Sequence, residues 1–475
     1  MRLFDQPFDF QILANPIFWT IGPAEAWAVA VPGGGRREGE SDHFTEVHAI
    51  DAHGHELRGF PVLRSAPYRV APSNQLAAVD LDGDGKDELL VIDLEGRLRG
   101  LRPSGEQLAA SAPAPERALS VWPPTLVRST TGRTALLVQS HEMQPRAPSR
   151  NAIHFMTLGG APYPGYPAAT EGWPAEHPPV IDSTIGVVYV LLRGGDVDAF
   201  ALRDGARPAG FPLHSEPLSD PEVRLRLVLQ GSTPWLATGA PYLMRIHGGQ
   251  ARKVEVPGAG ALTGLAVLDG VLYAVDEAKG KLQRIADDGT ATRVTDLVPG
   301  ERNLDLQVLN SNGGRVFVVL SAARADPDRN LDRLFEERAP EDLKRKLDAL
   351  VLNSYRKRFH TDQPTPEQRA QVRERIVDAK RSFLVSVLKP DELATYLAAD
   401  GSVHLLVLSE DPRGTRVFLD ERLADFSSET RFSACPYTLP AVRVSSTSIL
   451  VALGVNADDE DVDRSRLIVF QVPVH

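Results

Sequence analysis

The sequence predicts an all-β fold: a ring of small antiparallel sheets, a β-propeller of eight blades, with one α-helical hairpin inserted late in the chain. Three observations predict it. A turn of the form glycine, four residues, glycine-aromatic-proline occurs at Gly54 to Gly59-Phe60-Pro61, at Gly160 to Gly165-Tyr166-Pro167 and at Gly205 to Gly210-Phe211-Pro212. A weaker copy follows Gly105, with Ala110 in the second glycine's place, so the steps between marks are 51, 55 and 45 residues. Each step holds roughly four short β-like runs, which is the size and content of a propeller blade. Finally, the last runs (441–444, 449–453 and 467–472) make only three strands. The orphan run Phe8 to Leu13 supplies the fourth, so pairing the two chain ends closes the ring and removes its open edges. Seven blades is the alternative if one weaker blade is a loop.

In order, residues 17–21, 26–31 and 45–50 are β-like runs, with a polar hairpin loop at Gly33-Gly34-Gly35-Arg36-Arg37-Glu38-Gly39. That loop lacks the Lys-Ser/Thr ending and the following helix of a phosphate cradle. After the three turn marks, runs at 223–229, 235–238, 242–246 and 252–256 give one blade. Runs at 262–268, 271–275, 281–285 and 291–294 give the next, with hairpin dipeptides Asp269-Gly270, Lys279-Gly280 and Asp288-Gly289. A further blade starts at 304–309 and 315–320, and its outer half resumes at 403–408 and 416–419.

Between those halves, from about 326 to 400, helical periodicity replaces β alternation. A helix is predicted over about Glu341 to Phe359, with Leu343, Leu347, Leu350 and Leu352. A second is predicted from the capping sequence Thr365-Pro366-Glu367-Gln368 to about Leu388, with Val372, Ile376, Phe383 and Val387 on one face. Short helices are expected to flank the pair at 331–338 and 390–398. This reads as an insertion in a single domain spanning 1–475, not as a second globular core.

The formal charge of −11 over 475 residues disfavours a broad nucleic-acid-binding face. The single cysteine, Cys435, excludes an intrachain disulfide and a thiolate cluster and reads as a small buried residue. Residues 1–19 carry Asp5, Pro7, Asp9 and Pro16 in place of a basic region and an apolar run, which is not a signal peptide. No stretch nears the roughly 18 apolar residues that a membrane span needs. The expectation is a cytoplasmic protein.

The densest chemistry is Asp80-Leu81-Asp82-Gly83-Asp84-Gly85-Lys86-Asp87-Glu88, followed by the strand Leu89-Leu90-Val91-Ile92. Acidic side chains stand first, third, fifth and ninth, and a glycine stands sixth. That spacing wraps oxygen ligands around one hard cation, with Ca2+ the natural occupant. Its place at a strand entry makes it a staple of the fold; a catalytic metal would need an open position and a nearby acid or base.

On this loop and the three glycine-aromatic-proline turns, the chain resembles bacterial FG-GAP or VCBS-type repeat proteins, which share the propeller of the integrin α-chain head. The motifs cover residues 45–215; the remainder follows by rhythm. The resemblance implies structural Ca2+ held by the Asp80, Asp82, Asp84 and Glu88 side chains and the Lys86 carbonyl, and a propeller face that binds protein or carbohydrate. Family members usually carry several such loops and are usually exported; only one loop is intact here.

Other motifs have plainer readings. Asp326, Asp328, Asn330, Asp332 and Glu337 mimic an EF-hand, but Leu331 stands where the sharp turn needs glycine. Asp458-Asp459-Glu460-Asp461 with Asp463 reads as a solvated hairpin tip, or as a second cation site or basic-partner patch. His53 and His55 flank Gly54 as exposed turn residues. The insertion carries Lys344, Arg345, Lys346, Arg356, Lys357, Arg358, Arg369, Arg373, Arg375, Lys380 and Arg381. It is either an amphipathic hairpin with solvated charges or a docking arm for an acidic partner.

No Gly-x-Ser-x-Gly, His-Glu-x-x-His or Walker-type motif occurs. The leading expectation is a non-enzymatic, Ca2+-stapled protein-binding scaffold without nucleic-acid or membrane partners. The alternatives are a hydrolase or lyase with its site in the central funnel, and a carbohydrate-binding propeller with Trp122, Trp173 or Trp235 as a stacking platform.

Overall fold

The computed structural model describes residues 1–12, 14–22, 26–35, 44–65, 76–82, 84–92, 98–108, 122, 124–128, 134–142, 150–157, 160–175, 177–214, 225–299, 301–311, 314–322, 335, 339–359, 361, 379–380, 383, 403–411, 414–423, 438–445, 447–459 and 462–473. Their strands form eight antiparallel sheets, the blades of a propeller.

The first strand, β1 (Arg2–Phe8), is the outer strand of the last blade. Blade 1 has β2 (Gln11–Ile12) and β3 (Ile17–Thr20), both paired with β4 (Trp27–Gly35), then β5 (Phe44–Asp51) and β6 (Val62–Ser65). Blade 2 has β7 (Leu76–Val79), β8 (Glu88–Ile92) and β9 (Leu98–Leu101). Blade 3 has β10 (Thr125–Arg128), β11 (Thr134–Glu142), β12 (Arg150–Thr157) and β13 (Ala168–Ala169). Blade 4 has β14 (Val180–Asp182), β15 (Val187–Leu191) and β16 (Val197–Ala201). Blade 5 has β17 (Arg226–Gln230), β18 (Thr233–Ala237), β19 (Tyr242–His247) and β20 (Gln250–Glu255). Blade 6 has β21 (Leu262–Leu268), β22 (Val271–Asp276), β23 (Lys281–Ile285) and β24 (Ala291–Asp296).

Blade 7 begins with β25 (Arg302–Ser311) and β26 (Gly314–Ala322). Helix α1 (Glu341–Phe359) follows in the chain, and the blade is completed by β27 (Val403–Asp411) and β28 (Gly414–Leu423). Blade 8 is β29 (Ala441–Val444), β30 (Ser448–Asp459), β31 (Val462–Pro473) and β1, so the ring closes through both chain ends. The closing strand differs from the one expected at residues 8–13. The chain leaves β1 at Phe8, and Gln11–Ile12 already pairs with Gly33 and Gly34 of blade 1. The cause is packing: the buried Phe10 ring stacks on Phe8 and on His48 of β5, with centroids 4.5 and 4.2 Å apart.

The first strands of neighbouring blades touch (β3 with β7, β14 with β17, β17 with β21, β21 with β25, β29 with β3), so they line the axis. The apolar core lies between blades. Phe10, Ile12, Val29 and Val31 pack on Leu450, Leu467 and Val469 across the ring closure. Trp122, Val127 and Leu137 pack on Val188, Val190 and Phe200 across blades 3 and 4. Middle strands are therefore covered on both faces. Val316-Phe317-Val318-Val319-Leu320 is buried without a break, where a sheet with one wet face would alternate.

The repeated turns share one geometry. Gly54, Gly59, Gly160, Gly165, Gly205 and Gly210 all have positive φ, and the aromatic-proline bonds at Pro61, Pro167 and Pro212 are cis. The aromatic faces inward. Phe60 is buried against Trp19, and the buried Tyr166 donates its hydroxyl to the Ala201 carbonyl at 2.9 Å.

The chain divides into two compact units: Met1–Ala322, Val403–Leu423 and Ala434–His475 in one, Ala323–Ser402 and Ala424–Ser433 in the other. In the second, α1 runs over the residues that the sequence predicts. Its first turn carries Glu341 and Asp342, which favour the positive end of the helix dipole. Leu343, Leu347 and Val351 form a half-buried stripe at helical spacing. Phe335 is buried edge-on to Phe383, with centroids 5.6 Å apart. The rest of the second predicted helix, most of the flanking helices, the EF-hand-like run and Cys435 lie outside the described residues.

Candidate functional site

The Asp80 loop joins β7 to β8, in register from Val79 and Glu88 onward. One oxygen each from Asp80, Asp82 and Glu88 lies within 4.8 Å of the others. The loop is shaped by its own acids: Asp80 Oδ2 accepts from Gly85 N at 3.0 Å, Asp82 Oδ1 from Asp84 N at 3.2 Å and Glu88 Oε2 from Leu81 N at 2.9 Å. Asp84 lies outside that three-carboxylate group. Its Oδ1 accepts from Lys86 N at 2.8 Å, and the Lys86 ammonium is 3.4 Å from its Oδ2. These bonds hold the Asp84 carboxyl below its usual range.

The residues fit a cation. Glu88 is only 2% exposed. Desolvation, then repulsion from Asp82, Asp84 and Asp80, push its carboxyl up against the Leu81 hydrogen bond. A cation among the three carboxylates removes that penalty. The site is also tied to blade 1: Asp87 N donates to the Thr20 carbonyl at 2.8 Å, and Thr20 N donates to Asp87 Oδ2 at 2.7 Å.

Among the described residues of the first strands, Arg226 and Asp305 pair with each other. Arg226 of β17 reaches across to β25, where it donates to the Leu304 carbonyl and lies 3.2 Å from Asp305 Oδ1. Gln307 Nε2 donates to Asp305 Oδ2 and to the Pro440 carbonyl, each at 2.8 Å. His177 donates from Nδ1 to the Pro178 carbonyl at 2.7 Å. Desolvation and the Arg226 charge push its imidazole down to about 3.

Sequence reasoning missed two buried histidines held by carboxylates at both ring nitrogens. His48 lies 2.6 Å from Glu56 and 3.0 Å from Glu46. His404 lies 3.1 Å from Glu301 and 2.8 Å from Asp420, and Ser321 Oγ also donates to Glu301 at 2.5 Å. The Glu46-x-His48 spacing, which puts both side chains on one strand face, is the signal that was available. Among the motifs singled out, His53 and His55 are exposed, with their amides donating to Asp51 Oδ1 at 2.8 and 2.9 Å. The acidic run continues β30 to Asp459 and resumes at Val462, and its tip lies outside the described residues. Trp122 and Trp235 are 1% and 0% exposed and belong to the core, whereas Trp173 is 38% exposed. Among the described residues, no helix is long and apolar enough to cross a membrane.

No protein-family model and no curated protein sequence matches the chain. Solved structures with similar folds include virginiamycin B lyase from Staphylococcus aureus, at 8% identity over 66% of this chain and 95% of that one, with a TM-score of 0.33. BamB from Moraxella catarrhalis matches at 13% identity over 68% and 96%, with a TM-score of 0.36. BBS1N, solved in complex with ARL6DN, matches at 10% identity over 68% and 93%, with a TM-score of 0.39. The eight blades are read from the chain's own sheets.

Proposed function

We propose that the chain is a non-enzymatic protein-binding scaffold of the FG-GAP/VCBS type, stapled by one Ca2+ at the Asp80 loop, with the helical unit as a docking arm for an acidic partner. One observation carries this reading. Blade 7 is complete without the helical unit: β26 and β27 pair from Arg315 and Glu410 through to Ala322 and Val403, the residues on either side of the insertion. An insertion that a blade does not need is where a scaffold diversifies. Helix α1 carries six Lys/Arg against three Asp/Glu on a chain whose formal charge is −11. Arg345, Lys346, Arg356 and Lys357 are exposed on it.

In the Ca2+ part of this reading, Asp80, Asp82 and Glu88 hold the ion, with Asp84 and the Lys86 carbonyl as the remaining expected ligands. The ion supplies positive charge to a buried carboxylate and pins the β7–β8 hairpin; it performs no reaction. The test is affinity purification of the full chain from its native lysate at several salt concentrations, beside a variant with Arg345, Lys346, Arg356 and Lys357 changed to Glu. A partner retained at low salt, released by salt and lost in the variant supports the docking arm. Recovery of no partner at any salt concentration removes it.

A further inference from the structure

We propose that the cleft beside Trp173 is a carbohydrate site that takes a neutral pyranoside ring. The cleft has a volume of about 360 Å3 and is walled by Glu171, Trp173, Arg193, Asp196, Pro212 and His214. That volume is at the small end of ligand pockets, which run from about 300 to 1,000 Å3. Three segments of blade 4 and its entry build it: the connection from β13 to β14, the β15–β16 hairpin, and the chain just after the Gly210-Phe211-Pro212 turn.

Trp173 is out of place for a core residue. Trp19, Trp122 and Trp235 are 0 to 1% exposed, whereas Trp173 is 38% exposed. Its indole stays partly in water where a core tryptophan is covered. Its backbone is nevertheless fixed. Arg193 N donates to the Trp173 carbonyl and Ala175 N to the Leu191 carbonyl, each at 2.8 Å. Thr170 Oγ1 donates to the Gly172 carbonyl at 2.8 Å. The facing wall is pinned by Leu213 N to the Val197 carbonyl at 2.8 Å and Val197 N to the Leu213 carbonyl at 3.0 Å. A backbone held this way lowers the cost of ordering the site when a ligand binds.

The electrostatics select the ligand class. The two carboxylates of the cleft have partners inside the protein, and its guanidinium lies on an aromatic ring. Glu171 pairs with Arg207 at 3.2 Å, Asp196 pairs with His214 at 3.0 Å, and the Arg193 guanidinium lies 4.9 Å from the Trp173 ring centroid. A cationic ligand would have to displace Arg207 or His214 to reach a carboxylate. A neutral polyol does not: its hydroxyls donate to carboxylate oxygens and accept from guanidinium and imidazole N–H groups while these contacts persist. Its ring C–H groups carry slight positive charge and suit the negative π face of an indole. Pro212 supplies a second apolar wall.

The experiment is a glycan array spanning neutral hexoses, N-acetylhexosamines, deoxyhexoses and pentoses, probed with the full-length protein. It is followed by saturation-transfer NMR with the methyl glycoside of the best sugar. W173A, at an exposed site, is expected to melt like wild type and to weaken binding at least about tenfold. H214A, whose side chain is 72% exposed, is expected to weaken it several-fold. The proposal is overturned if the array retains no neutral sugar, if transfer persists in W173A, or if acidic glycans alone bind.

Discussion

The carbonyl oxygen of Gly59 in blade 1 lies 2.4 Å from where a β-carbon on Gly105 in blade 2 would stand. The relation is mutual, since a β-carbon on Gly59 would stand 2.2 Å from the Ser104 carbonyl oxygen. It recurs around the ring. A β-carbon would stand 1.7 Å from the Asp204 carbonyl oxygen at Gly165, 2.5 Å from Gly165 O at Gly205, 2.4 Å from Gly249 O at Gly210 and 2.0 Å from Glu255 O at Gly289. At the closure, a β-carbon on Gly54 would stand 3.5 Å from the Phe4 ring of β1. The repeated glycines are thus more than turn formers: in each pair, one blade's turn rests directly on its neighbour's backbone. Gly165→Ala is expected to cost about 3 kcal/mol or more, from left-handed backbone plus a clash that only a blade shift relieves. Gly186→Ala has the same backbone sign and open space, so it should cost only about 1 kcal/mol. Urea titration of the two variants separates the terms, and equal losses would remove the inter-blade role.

Arg207 sits between the two glycines of its turn and joins blades 3 and 4. Its Nε and Nη2 donate to the two oxygens of Asp198 at 2.8 and 2.9 Å, and Nη2 also donates to the Ala169 carbonyl at 3.1 Å. Asp198 is 0% exposed. Arg207→Ala strands a buried carboxylate and should destabilise by about 3–5 kcal/mol. Arg207→Lys keeps the charge without the planar fork and should recover only part of this. Comparing denaturant midpoints tests the order.

Burial pushes the His154 imidazole down to about 4 from an ordinary 6.5. Between those values the unfolded chain binds a proton that the native state does not, so stability falls as the solution is acidified through that window. At about pH 4.5 the loss is on the order of 2–3 kcal/mol relative to neutrality. His154→Gln should lose correspondingly less between the two conditions. Parallel acid sensitivity in variant and wild type would assign the effect elsewhere.

For the Asp80 loop, chelation is expected to lower the melting temperature of protein first shown to contain bound Ca2+. Asp82→Ala should abolish the difference, because one of the three convergent carboxylates is gone. An unchanged melting curve on chelation would end the stapling role.

Ala322 and Val403 are register partners. Replacing residues 323–402 by Asn-Gly should therefore close the hairpin with a two-residue turn and leave one cooperative melt. Loss of cooperativity would show that the propeller depends on the helical unit.

Much of this architecture is legible in sequence because each blade repeats a local grammar. Asp269-Gly270 sits between two apolar runs, and both residues take positive φ in the structure. Helix α1 is read equally well because its stripe and acidic first turn are local. What escapes is set by distant partners. Phe8 to Leu13 looks like one strand, yet Phe8 pairs with Ser465 and Ile12 pairs with Gly33. Trp122 looks like a loop residue, yet its indole N–H donates to the Ala175 carbonyl at 3.0 Å, 53 residues away. The carboxylates around Glu88 are legible by spacing. The clasp on His404 is not, since Glu301 lies 103 residues from it.

The pairing of β1 with β31 has a consequence for the order of assembly. Arg2 and Phe470 are register partners from opposite ends of the sequence, the most expensive loop in the molecule to close. If blades 1 to 7 condense neighbour on neighbour first, the arc would keep two uncovered blade faces until β1 docks. Pulse-labelled hydrogen exchange should find the β31 amides facing β1 among the last to gain protection. The clasp acts as a lock on an arc already built, and the time before it shuts is when the chain most needs shielding from other copies of itself.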